Sequence, residues 1–170
     1  MTELTADNSI VVGIDGSEAS MAALRWAAQQ ARVLHTEVIA VHAWEPSECG
    51  LAPYAPVAAC PTVAEQRDQA AQLLAFTLRA VFGTRTDGGV RAVVAEGPPA
   101  RVLLRQARGA LLLALGRTAH GRCELPAIGT VGRERLRHAT IPVVAVPATD
   151  RPGPSVRYVE TSPLARSGAA

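Results

Sequence analysis

The sequence predicts an α/β domain in which a doubly wound parallel β-sheet carries helices on both faces. Three observations lead there. Short stretches such as Ile10-Val11-Val12 and Leu111-Leu112-Leu113-Ala114-Leu115 are apolar throughout, without the alternation of a half-exposed strand, and read as strands covered on both sides. These runs alternate with segments of helical period, the pattern of successive strand–helix–strand units. Aromatic residues make up only 4% of the 170, against 48% hydrophobic. The core is therefore built from Ala, Val and Leu, side chains small enough for helices to lie close on a sheet.

In chain order, residues 1–8 are polar and read as a loose terminus. Ile10 to Ile14 is the first strand. Asp15-Gly16-Ser17 follows as a turn, in which Ser17 or Asp15 can cap a helix starting near Glu18 by accepting its unpaired N–H groups. Ala22, Leu24, Ala28, Ala31 and Leu34 form the expected buried stripe of that helix. Glu37 to Ala43 is the second strand, and it leaves at Trp44-Glu45-Pro46. Gly50, Pro53 and Pro56 mark 46–61 as an irregular loop. Thr62 and Glu65 have the spacing of a capping box, so the next helix starts there, runs through Leu73, Leu74, Leu78, Val81 and Phe82, and stops at Gly83. Val90 to Ala95 is the third strand. Pro99 suits the first turn of a short helix that buries Val102, Leu103 and Ala107 and ends at Gly109.

The most informative stretch runs from Leu111 to Pro147. The fourth strand stops at Gly116 and small and polar residues follow. Gly129-Thr130 then opens a basic helix, VGRERLRHA, and Ile141 to Val146 is the fifth strand. A loop at the carboxyl end of a parallel strand, leading into a helix, is where such sheets hold anions. From Ala148 onward periodicity is lost, and 149–170 reads as a disordered tail beyond a domain at 9–148.

Composition narrows the function classes. Seventeen basic residues face fifteen acidic ones, a net charge of +2, which gives no reason to expect nucleic acid. Every basic residue other than histidine is Arg, and the absence of Lys excludes a Walker-type phosphate lysine and a Schiff base. Cys49, Cys60 and Cys123 lack metal-ligand spacing, so no metal site and a reducing, cytoplasmic setting are expected. MTELTADNS has no apolar signal core, and no run is long enough to span a bilayer.

The spacing of Gly116, Ala119 and Gly129-Thr130 resembles the G-x2-G-x9-G-[S/T] loop of the universal stress protein family. VGIDGSEASMAALRWAA resembles the opening of those proteins, VVAEGPPARVLLRQA their crossover into the fourth strand, and Pro142 the start of their last strand. The resemblance runs from Ile10 to Pro147. It implies a sheet of order 3-2-1-4-5, with the adenine nucleotide alpha hydrolase-like fold. It also implies ATP, with Mg²⁺, in the crevice between the first and fourth strands, held by Ile14, Asp15 and Ala43 around adenine, Gly116 and Ala119 along ribose, and Gly129, Thr130 and Val131 at the phosphates. A homodimer through Val143, Val144, Ala145 and Val146 and an unidentified protein partner are implied as well.

One departure stands out: Ala119 occupies the position of the family's second glycine, where a methyl meets the sugar. The residues themselves leave the reading open. Asp15 serves equally as a turn and cap residue, and Gly116 and Gly129 as punctuation. His42 reads as a packed histidine, and His120, Arg117 and Arg122 as a solvated loop face. No catalytic base or metal cluster is assembled, so any hydrolysis is expected to be slow and incidental. Three functions are thus distinguished: a nucleotide-binding stress-response regulator, a dimeric interaction protein that has lost the nucleotide, and an ATP-using or flavin enzyme.

Overall fold

The computed structural model describes residues 8–47, 61–83, 89–117 and 139–148. The elements are β1 (Ser9–Gly13), α1 (Glu18–Leu34), β2 (Glu37–Trp44), α2 (Val63–Phe82), β3 (Val90–Glu96), α3 (Pro99–Gln106), β4 (Leu112–Arg117) and β5 (Val143–Pro147). All strand pairs are parallel, and the sheet order is β3-β2-β1-β4-β5. This is the predicted doubly wound architecture. The expected fourth helix, the 46–61 loop apart from its two ends, and the tail from Thr149 onward lie outside the described residues.

The two faces of the sheet carry separate cores. Ile10 and Val12 of β1, Val38 and Ala40 of β2, Ala114 of β4 and Val146 of β5 pack under α1 and α2. Val11, Ile39, Val41, Leu113 and Leu115 point the other way, to Val102 and Leu103 of α3 and Ala107 just after it. The strict two-residue alternation explains why the runs Ile10–Val12 and Leu112–Leu115 contain no polar residue: each side chain has a helix-covered core to meet.

Ser17 is the N-cap of α1, its hydroxyl accepting from Ser20 N. The inward stripe differs from the expected one. Ala19, Ala23, Ala27 and Ala31 form a four-residue ridge that is almost fully buried, joined by Ser20 and Leu24, whereas Ala22 and Ala28 are half-buried and Leu34 is 49% exposed. In an Ala-rich helix the two candidate stripes differ by one residue step, and hydrophobicity hardly separates them. Leu34 falls outside because the helix ends there, at His35 in the left-handed conformation (φ 51°).

The capping box of α2 forms as expected: Thr62 N donates to Glu65 Oε2 (2.6 Å), and Glu65 N to Thr62 Oγ1 (3.3 Å). The main chain and then the hydroxyl of Thr62 hold the Glu65 carboxyl below its ordinary range. Several boundaries shift. β1 is Ser9–Gly13 rather than Ile10–Ile14, because Ser9 pairs with Glu37, and β2 and β3 each run one residue further, where Trp44 pairs with Glu96. β4 starts at Leu112 and runs on to Arg117, because Gly116 and Arg117 pair with Val146 and Pro147; Gly116 lies inside the strand rather than ending it. β5 starts at Val143, since Ile141 packs against the α3-side core without joining the ladder. Helix α3 stops at Gln106, before Gly109.

The stripe is testable by denaturation. Leu24→Ala should cost about 2–5 kcal/mol as a core truncation, whereas Leu34→Ala should stay within about 0.5 kcal/mol. Equal effects would return Leu34 to the core.

Candidate functional site

The site is set by where β1 and β4 part. They pair from Ile10↔Leu112 to Val12↔Ala114 and no further. Beyond that, Ile14 N donates to Val41 O (2.8 Å), so the chain turns towards β2, while β4 continues beside β5. The connections leave in opposite directions, β1 towards β2 and β4 towards β5, which makes this the topological switch point of the sheet, where α/β folds take ligands.

The expected site residues fall into three groups. Asp15 stands at the rim, on the turn between β1 and α1. Its Oδ1 accepts from Ser17 N (2.9 Å) and Ser17 Oγ (2.6 Å), while Ser17 Oγ caps Ser20 N (3.1 Å). Burial pushes the Asp15 carboxyl up, but hydrogen bonds, led by those of the Ser17 hydroxyl and main chain, outweigh it and hold the group below its ordinary value. The carboxylate is therefore kept charged at a rim that closes a chain of caps onto α1. Gly16, at φ 81°, lets this turn pass against Leu73 of α2.

Ile14 and Ala43 are placed differently. The Ile14 side chain is core, 4% exposed. Its N–H is taken by Val41 O, and its carbonyl accepts from His42 Nδ1 at 2.7 Å. A carbonyl only accepts, so His42 carries its proton on Nδ1. The histidine thus ties the ends of β1 and β2 together. Ala43 pairs with Ala95 and packs on the α3 side.

Gly116 has a steric reason of its own. A Cβ built there would run into the main chain of Ala19 and Ser20, at the start of α1. The first turn of α1 lies directly on β4, and only glycine lets it. Ala119, Gly129, Thr130 and Val131 lie outside the described residues, as do His120 and Arg122.

Gln66 was not singled out from the sequence. From the first turns of α2, its Oε1 accepts from Ser47 N (2.8 Å), and its Nε2 donates to Ser47 O (3.2 Å) and Pro61 O (2.9 Å). One side chain thereby holds both ends of the 46–61 loop near the carboxyl edge of the sheet. A lone glutamine four residues past a capping Thr carries no signal for this. No group of three or more His, Cys, Asp or Glu that could hold a metal ion occurs among the described residues. Nor is any described helix long and apolar enough to cross a membrane.

Comparison with known proteins adds to this geometry. The universal stress protein family model matches residues 8–147. A universal stress protein of Mycobacterium tuberculosis is 33% identical over 141 residues, 81% of this chain and 46% of the relative. One from Mycolicibacterium smegmatis is 31% identical over 137 residues, 81% of this chain and 45% of the relative. The chain thus spans about half the length of the curated relatives it matches. Among solved structures, a Lactobacillus plantarum universal stress protein aligns with a TM-score of 0.58 at 20% identity, over 82% of this chain and 97% of that one. A universal stress protein in complex with cAMP aligns at 0.51 and 23% identity, over 85% and 99%. One from Archaeoglobus fulgidus in complex with dAMP aligns at 0.51 and 18% identity, over 83% and 98%. At these identities the structures establish the fold.

Two outcomes follow from the site's construction. Gly116→Ala should lower stability by about 1–3 kcal/mol or more, through overpacking against a main chain that cannot rotate away; an unchanged melting temperature would refute the contact. For Asp15, the lowered folded-state pKa means that its contribution is present above the unfolded value, about 3.9, and is lost as pH falls through the folded one. Wild type should lose stability relative to Asp15→Asn over that acid range, and parallel stability–pH curves would contradict this.

Proposed function

This chain belongs to the universal stress protein family, and we propose that it is a stress-response regulatory module binding ATP or a related adenine nucleotide between β1 and β4. The observation that carries the reading is the open switch point with a charged Asp15 at its rim. The relatives solved with cAMP and dAMP support adenine nucleotide as the ligand class.

The residues present fit such a ligand. Both Ser17 donors fall on Asp15 Oδ1, and the carboxylate they hold charged at the rim would accept from the nucleoside. Adenine would lie towards Ala43 and ribose along Gly116 and Ala119. The phosphates would lie at Gly129, Thr130 and Val131, where main-chain N–H groups and a hydroxyl take the place of a lysine. Mg²⁺ would accompany the phosphates and offset their charge. The chain's own part is to bind and orient; no residue is assigned to proton transfer, and the nucleotide acts by biasing which partner surface is presented.

The dimer belongs to the same reading. Beyond its pairing with β4, β5 offers a sheet edge on which Val143 is 39% exposed and Ala145 and Pro147 are exposed. An apolar edge of this kind needs a cover, and a second copy provides one about a two-fold axis. A second reading, a dimeric interaction protein without nucleotide, is favoured by Ala119, whose methyl stands where the family has hydrogen.

Calorimetric titration of ATP with Mg²⁺ into wild type and Ala119→Gly separates the two. Micromolar binding by the wild type is the expected result. Binding regained only in Ala119→Gly would favour the second reading, and no binding by either would end the nucleotide hypothesis. For the dimer, Val143→Asp should shift the sedimentation coefficient from dimer to monomer with the helical spectrum unchanged. A wild type that sediments as a monomer at high concentration would exclude the β5 interface.

A further inference from the structure

The ladder between β1 and β2 stops one bond short of where its geometry would carry it. It pairs residues from Ser9↔Glu37 to Gly13↔Val41, and Ile14 N still donates to Val41 O (2.8 Å). In a parallel pair the slanted bonds come evenly, so a residue that donates to one position of its neighbour accepts from the position two further on. Ile14 donates to Val41, and the next bond would therefore run from Ala43 N–H to Ile14 O. That carbonyl is instead taken by His42 Nδ1 at 2.7 Å. Among the described residues, no main-chain bond links Ala43 to Ile14 or to the turn that follows it.

The direction of the groups left over follows from their neighbours. Residues along a strand turn their main-chain groups alternately to the strands on either side. Val41 serves β1 by accepting from Ile14 N, and Trp44 serves the β3 side by accepting from Gly97 N (2.8 Å). Ala43 is in step with Val41. Its N–H and C=O therefore face the side from which β1 departs at the switch point. Ala43 is half-buried, and main-chain groups left out of a ladder at such a position are uncommon, because an unpaired one is costly.

We propose that His42 is a positioning residue for the nucleoside. By holding the Ile14 carbonyl, its imidazole keeps the Ala43 N–H out of the ladder and free to donate to a base in the crevice. This role rests on the crevice being an adenine-nucleotide site, and it names the side chain that keeps the slot open. Histidine satisfies the carbonyl with a side-chain donor, so the β1 end stays tied to β2 without the strands closing by one more bond. Leucine at 42 offers no donor, and the Ile14 carbonyl then takes the Ala43 N–H that is next in line for it.

The test compares wild type with His42→Leu, which removes the donor, and His42→Asn, whose side-chain amide N–H stands near the place of Nδ1. Amide hydrogen exchange at Ala43 is followed by NMR in the free proteins, and ATP with Mg²⁺ is titrated by calorimetry. In free wild type, Ala43 should exchange about ten-fold or more faster than Val41, which lies within the ladder. In His42→Leu, Ala43 should become as protected as Val41, and ATP should bind about ten-fold more weakly, the worth of one hydrogen bond. His42→Asn should keep Ala43 open and bring the affinity back to within about three-fold of wild type. A histidine that merely packs would change the melting temperature and leave the exchange at Ala43 alone. The proposal is overturned if Ala43 in free wild type is already as protected as Val41, or if His42→Leu leaves its exchange unchanged. It is equally overturned if His42→Leu binds ATP as tightly as wild type. If wild type binds no ATP while the exchange at Ala43 still follows residue 42, the nucleotide reading fails and the hold of His42 on the open bond stands.

Discussion

The structure depends on how closely α1 lies on the sheet. Ala19, Ala23, Ala27 and Ala31, four residues apart, make one smooth ridge with no side chain larger than a methyl. A ridge of that kind brings the helix axis nearer the strands than leucines would. At its first turn the approach is so close that the facing strand residue can have no side chain, and Gly116 is there. With aromatics at 4% of the sequence, many small contacts at short range replace a few large ones, and the methyls and β4 are matched to each other.

That contact also builds the crevice. A helix start held against β4 fixes the turn before it, and this turn carries Asp15. Ser17 links the two by capping Ser20 while both its donors bond Asp15 Oδ1. On the other side, Ile14 is drawn to β2 through Val41 O and His42 Nδ1. β1 is thereby pulled away from β4 just where α1 is pressed onto β4. The opening between them is a consequence of packing, whether or not a nucleotide is present.

Much of this was legible in the sequence. The uninterrupted apolar runs of β1 and β4 marked those strands because both are covered on both faces, and the Thr62–Glu65 spacing gave the start of α2 because the capping box needs that spacing and no tertiary contact. The stripe of α1 was misplaced because alanines at 19, 22, 23, 27, 28 and 31 offer two overlapping faces of equal hydrophobicity, and only the sheet decides between them. The end of β4 was misjudged at Gly116, since glycine marks the end of a strand less surely than it marks the close approach of another element. Gln66 was silent because its partners, Ser47 and Pro61, lie across a long loop that no local pattern connects.

Gly116 also shows why a motif glycine cannot be assigned from spacing alone. The same hydrogen that would let ribose approach the strand already lets Ala19 approach it from the α1 side. A glycine kept for the fold would persist in a chain that had abandoned the ligand, so its presence is weak support for nucleotide. Asp15 is a sharper witness, since a cap alone is served by Ser17 and needs no carboxylate held charged at the rim. The alanine ridge then accounts for both ends of α1. At its start, small side chains allow contact with β4. At its end, the half-buried Ala28 and the ridge's Ala31 face Leu78 and Phe82 of α2 instead of strand backbone, and the same small size that closes one end leaves a half-open groove at the other.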